Sequence, residues 1–150
     1  MRFIGGKAVK VKIKKLHPKA KMPTYATEGS ACFDLYAAEA RHHRYVRIDK
    51  NDTFSTGLAF EIPEGHVMLV YSRSGHGFKE GATLVNSVGV IDSDYRGEVS
   101  VKLNVPINAG VGDRIAQAMI IPVERVSFEL TDELTDTERG RGGFGSSGLK

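Results

Sequence analysis

Five short clusters carry residue types that core packing does not require. They are Ser30-Ala31-Cys32-Phe33-Asp34-Leu35, Tyr71-Ser72-Arg73-Ser74-Gly75, the run Asn86 to Glu98, Gly112-Asp113-Arg114-Ile115-Ala116-Gln117, and the tail Arg139 to Gly148. Arg73 offers a permanently charged fork of donors that matches phosphate oxygens. Ser74 adds a hydroxyl, and Gly75 lets a backbone N–H approach closely. Gln117 supplies amide donors that could reach a phosphate; on a strand its ordinary use is a cross-strand hydrogen bond. Asn86 presents a donor and an acceptor side by side, which suits the edge of a base. In the tail, Phe144 provides a face for base stacking, worth about 1–3 kcal/mol per base in single-strand systems. Arg139 can bind phosphate, and Ser146 and Ser147 add donors. A nucleotide triphosphate fits this set. A surface salt bridge for Arg73 and a disordered tail are the ordinary alternatives.

Short alternating runs must position these groups. Val9, Val11 and Ile13 alternate with Lys10, Lys12 and Lys14, the pattern of a half-buried strand with a lysine-coated face. Leu58, Phe60 and Ile62 form another run, closed by Pro63-Glu64-Gly65. Val67 to Tyr71 is more continuously apolar, and Val99, Val101, Leu103 and Val105 alternate most cleanly. Arg114 to Ile121 and Val126-Phe128-Leu130 read as later strands, and Gly77 to Glu80 as one turn of helix. Many short strands between frequent turns predict an all-β sandwich, jelly roll or barrel. The chain has 150 residues, 41% of them hydrophobic, which suits one ordinary domain with a core. We expect a barrel over 1–130 and a mobile, glycine-rich arm over 131–150.

The order, spacing and content of the five clusters resemble the five sequence motifs of the trimeric dUTPase family, from Ser30 to Gly148. The third, with Gly89-x-Ile91-Asp92-x-x-Tyr95-x-Gly97, and the tail, with Arg139-Gly140-x-Gly142-Gly143-Phe144-Gly145 as its core, are the distinctive ones. The resemblance implies a jelly-roll-like all-β fold and hydrolysis of dUTP to dUMP and pyrophosphate. It implies Asp92 as the general base that activates a water against the α-phosphorus. Asn86, Gly89, Val90, Ile91, Tyr95 and Phe144 would bind base and sugar, in what reads as a hairpin. Tyr95 would pack under the deoxyribose and exclude a 2′-hydroxyl. Arg73, Ser74, Gly75, Gln117, Arg139, Gly145 and Ser146 would bind the phosphates. Mg2+ would accompany the triphosphate, held chiefly by phosphates and water. Asp34 would reach it indirectly, and its ordinary alternative is a hydrogen bond that fixes a turn. A homotrimer with its sites at subunit interfaces also follows from the resemblance.

Other classes fit poorly. Gly140-x-Gly142-x-x-Gly145 matches the dinucleotide fingerprint as a string, but that motif must open a helix within a βαβ unit. There is no CxxC, and the adjacent His42 and His43 would face opposite ways on a strand, so zinc is not expected. The formal charge of +3 includes many early lysines, which we read as a solvated face rather than a nucleic-acid surface. The N-terminal residues form no apolar export segment, no membrane span is expected, and a single cysteine suits a reducing cytosol. Asn51-Asp52-Thr53 fits the glycosylation pattern only by chance on that reading. Cys32, His76, Val88 and Arg141 depart from the usual family residues. A dCTP deaminase of the same fold, a scaffold that binds a regulatory partner, and a basic nucleic-acid-binding barrel are the rival readings.

Overall fold

The structure, a computed structural model, describes residues 9–41, 52–144 and 146. His42, His43, Asn51, Gly145 and Ser147 lie outside the described residues. The element order is β1 (Lys12–Lys15), β2 (Thr24–Tyr25), β3 (Phe33–Tyr36), β4 (Glu39–Arg41), β5 (Asp52–Glu61), β6 (His66–Tyr71), α1 (Ser74–Glu80), β7 (Gly89–Ile91), β8 (Glu98–Leu103) and β9 (Arg114–Pro122). The strands form two antiparallel sheets of the jelly-roll type. One has the order β2-β3-β9-β6-β7; the other is built around β5.

β5 is ten residues long and changes partner along one edge. Its first half pairs with β4, through Thr53 to Ser55, and its second half with β1, through Leu58 to Glu61. β8 runs along the other edge, and the register slips between Ser55 and Ala59. The resulting bulge is buried: Thr56 and Leu58 are both 0% exposed. Thr56 donates its hydroxyl to the Val99 carbonyl at 2.6 Å, which satisfies a fully buried polar group. Gly57 has a φ of +65°, and a Cβ there would stand 2.7–3.0 Å from the Cβ atoms of His17, Ala20 and Ala38. Only glycine meets both conditions.

The inner faces of the sheets meet over Phe33, Leu35, Phe54, Leu58, Phe60, Met68, Val70, Val99, Val101, Leu103, Ile115 and Ala116. The alternation of β8 gives this directly: Val99, Val101 and Leu103 are buried, while Ser100 and Lys102 face out. Val11 and Ile13 pack against the core while Lys12 and Lys14 stay exposed, as the lysine alternation predicts.

Two expectations are corrected. Val126, Phe128 and Leu130 do not form a strand; they are 69%, 94% and 99% exposed and pair with nothing described. Alternation supplies an apolar edge, but both β-sheets in the chain close without it. The third cluster is not a hairpin either. β7 pairs with β6 and β8 pairs with β5, so the run Asp92 to Gly97 crosses from one sheet to the other. The helix is longer than the turn expected, running from Ser74 to Glu80. No helix among the described residues is long and apolar enough to cross a membrane.

Because Leu58 is fully enclosed where three segments meet, truncation there leaves a cavity that cannot collapse. Leu58→Ala should cost about 2–5 kcal/mol in denaturant unfolding; a loss within measurement error would mean that the bulge is not part of the packed core.

Candidate active site

Asp34 is a buried charge held between two arginines, Arg73 and Arg114. It sits on β3, 7% exposed, opposite Gln117 of β9. Its Oδ1 accepts the Arg73 Nε–H at 2.9 Å, and its Oδ2 lies 3.4 Å from an Arg114 guanidinium nitrogen. A buried carboxylate needs such partners, since an unpaired charge in the interior is costly. One carboxylate against two guanidinium groups leaves the cluster with an excess positive charge and holds the fork of Arg73 in place.

Arg73 caps α1 from an extended conformation, with Ser74 and Gly75 exposed in the first turn. Gln117 lies opposite Tyr71 as well as Asp34, so the three side chains share one face of the sheet. Its amide donates to the Ser72 carbonyl at 3.0 Å, the cross-strand use anticipated for it. Arg114, within the fourth cluster, carried no assigned role in the sequence reading. Its signal was present as the arginine two residues after Gly112, but only the fold places it against Asp34.

His76 stands where the family usually has an aliphatic residue. Its Nε2 donates to the Arg114 carbonyl at 3.0 Å, and its Nδ1 lies 3.5 Å from the Glu80 carboxylate. The substitution thus ties α1 to the start of β9. Cys32 borders the cluster, and burial, followed by the charge of Asp34, raises its thiol pKa. That disfavours the reactive thiolate.

The residues that the sequence assigns to base and sugar follow a different path. Asn86 is exposed, and its carbonyl accepts the Val88 N–H at 2.7 Å across Ser87, whose φ is +62°. A three-residue turn with positive φ at a serine is strained. Proline, common at the place of Val88, has no N–H and could not close it. Gly89 is buried on β7, Ile91 half-buried, and Val90 60% exposed. Asp92 follows, exposed, and its carbonyl accepts the Tyr95 N–H at 3.2 Å. Asp92 lines an open cavity of about 890 Å3 together with His66, Leu69, Val90, Asp94 and Arg96. Arg73, Ser74, Gly75 and Gln117 do not border that cavity. The hydroxyl end of the Tyr95 ring lies against Gly97, and the hydroxyl donates to the Glu98 carbonyl at 3.0 Å.

In the tail, Arg139 and Phe144 are exposed, Phe144 completely. Arg139 Nε folds back onto the Gly142 carbonyl at 2.9 Å, and the Ser146 N–H donates to the Gly143 carbonyl at 3.0 Å. Arg141 is exposed, and nothing in the structure explains its presence there. The arm therefore touches neither the Asp34 cluster nor Asp92 through any hydrogen bond among the described residues.

Comparison with known proteins bears on this arrangement. The dUTPase family model matches residues 18–148. A deoxyuridine 5′-triphosphate nucleotidohydrolase of Nautilia profundicola is 44% identical over 144 residues, covering 93% of this chain and 99% of that protein. One from Orientia tsutsugamushi is 43% identical, over 95% and 100% of the two chains. The dUTPase of Staphylococcus bacteriophage 80alpha, solved as a G164S mutant with dUpNHpp, superposes with a TM-score of 0.80 at 26% identity, covering 93% of this chain and 99% of that one. The motifs, the fold and these likenesses agree, and the chain belongs to the dUTPase family.

Proposed function

We propose that the protein hydrolyses dUTP to dUMP and pyrophosphate, lowering dUTP and supplying dUMP for thymidylate synthesis. The observation that carries this is the lock of Asp34 on Arg73, which presents a fixed, positively charged anion site beside Gln117 and the first turn of α1. Arg73, Ser74, Gly75 and Gln117 bind the phosphates, and Asp92 takes a proton from a water as that water attacks the α-phosphorus. A new P–O bond forms, the bridging P–O bond breaks, and pyrophosphate leaves. General-base help of this kind is worth roughly 10²–10⁴-fold; positioning and charge neutralisation supply the rest. Asn86 reads the uracil edge, the snug turn around it rejects a 5-methyl group, and Tyr95 rejects a ribose. Phe144 of the arm stacks on the base while Arg139, Gly145 and Ser146 close on the phosphates, which excludes water.

Mg2+ fits this donor set as a companion of the substrate. No group of three or more His, Cys, Asp or Glu among the described residues could cage a cation. Asp34 is already engaged by two guanidinium groups, so it would meet the metal only through water. When bound, the ion neutralises phosphate charge.

A homotrimer with shared sites is part of the proposal. Ile91 pairs with Met68 and Gln117 with Tyr71, three residues farther along β6. At about 3.3 Å per residue, Asp92 and Gln117 of one chain stand roughly 13 Å apart along the strand alone. A base and the phosphate ligands of one reaction belong closer. A second copy can supply the missing half, and the exposed Val126, Phe128 and Leu130 offer it an apolar strip. We place the enzyme in the cytoplasm.

With Mg2+ and dUTP, dCTP, dTTP and UTP in turn, only dUTP should turn over, to dUMP and pyrophosphate by chromatography. Asp92→Asn should lower the rate roughly 10²–10⁴-fold while still binding a non-hydrolysable dUTP analogue. Deamination of dCTP would instead place the protein with the other enzymes of this fold. Asp34→Asn should lower kcat/KM about 10²-fold through misplacement of Arg73, and raising Mg2+ should not restore it. Recovery at high Mg2+ would give Asp34 to the metal instead.

A further inference from the structure

We infer that Glu98 is a positioning residue that sets the discrimination between deoxyribose and ribose triphosphates, through Tyr95. The inference rests on the reading of Tyr95 as the platform under the sugar. Glu98 opens β8, directly after the crossing that carries Tyr95. Its Oε1 accepts two donors from the buried bulge of β5, the Ser55 hydroxyl and the Gly57 N–H, the latter at 2.7 Å. Its backbone carbonyl accepts the Tyr95 hydroxyl at 3.0 Å. One residue therefore grips the core with its side chain and the tyrosine with its main chain.

The grip matters because the ladder is weak at this point. Glu98 pairs with Ala59, and the next pair is Ser100 with Ser55, so the slip in β5 interrupts pairing beside Glu98. The Gly57 N–H, which an unbroken ladder would give to a backbone carbonyl, goes to the Glu98 side chain instead. Gly57 itself cannot move, being packed against His17, Ala20 and Ala38. The start of β8 is thus fixed to an immobile point. Tyr95 has one more constraint: a Cβ on Gly97 would stand 2.3 Å from its hydroxyl and 2.5 Å from its ring. The ring is pressed on Gly97 and pinned at its hydroxyl, although it is 43% exposed. Without the Glu98 side chain the acceptor for that hydroxyl drifts, and the ring is free to yield to a 2′-hydroxyl. Sugar selection, more than turnover of dUTP, should suffer.

The test compares kcat/KM for dUTP and for UTP in the full-length enzyme. Glu98→Ala should lower the dUTP-to-UTP ratio about tenfold, and Glu98→Gln, which keeps an acceptor on the same stem, should largely restore it. Tyr95→Phe removes the same link from its other end without touching the bulge and should lower the ratio alike. The double variant should be no worse than either single one, because the two act through one bond. An unchanged ratio in Tyr95→Phe, or a parallel fall for both substrates in Glu98→Ala, overturns the inference. Tyr95→Ala tells the two levels apart. If it lowers the ratio while the other variants do not, the platform stands and the link fails; if it leaves the ratio alone, the platform reading fails and the inference with it.

Discussion

The register of β6 against its two neighbours sets the geometry on which the rest of the site depends. β9 brings Gln117 opposite Tyr71, at the end of β6 that leads into Arg73 and α1. β7 brings Ile91 opposite Met68, nearer the other end, with Asp92 just beyond. Strand spacing is inelastic, so no side-chain rearrangement brings the phosphate ligands and the proposed base of one chain together. On the proposed reading, each chain then carries two halves of a site set apart along β6. Symmetry is the economical remedy, since one interface repeated around a ring completes every site with the same contacts.

The proposed phosphate half is held by electrostatics in a buried place. Asp34 is surrounded closely enough that it must be paired, and its partners come from two separate segments, Arg73 after β6 and Arg114 at the start of β9. His76 adds a further tie between α1 and the same end of β9. The proposed base half is held by backbone geometry: the strained turn at Ser87, the Asp92–Tyr95 turn and the pinned tyrosine ring. If these groups bind phosphate and base as proposed, their preorganisation reduces the ordering that substrate must impose. The arm remains the part left to be ordered, with Phe144 fully exposed and Arg139 satisfied by its own turn.

Much of this was legible in the sequence because alternation reports burial. Val67 to Tyr71 and Arg114 to Ile121 became β6 and β9 within a residue of expectation, and the run Val99 to Val105 became β8, which ends two residues earlier, at Leu103. The five clusters were legible because they hold charged, amide and glycine residues where a core would hold none. Alternation says nothing about which strand is the partner, however. That is why Val126-Phe128-Leu130 read as a strand and lies bare, and why the third cluster read as a hairpin when its arms join different sheets. The short strands β2 and β4 carry too few residues for a period to show. Arg114 and Glu98 were visible as letters, but their work depends on contacts with residues 80 and 41 positions away, respectively.

The measurement that bears most directly on the shared site uses two inactive variants, Arg73→Gln and Asp92→Asn, unfolded together in equal amounts and refolded. Each variant lacks a different half. If a complete site takes Asp92 from one chain and Arg73 from another, random cyclic trimers should regain about a quarter of the wild-type sites, read as dUTP hydrolysis. Activity no greater than the sum of the two variants refolded separately would contradict a site shared between subunits.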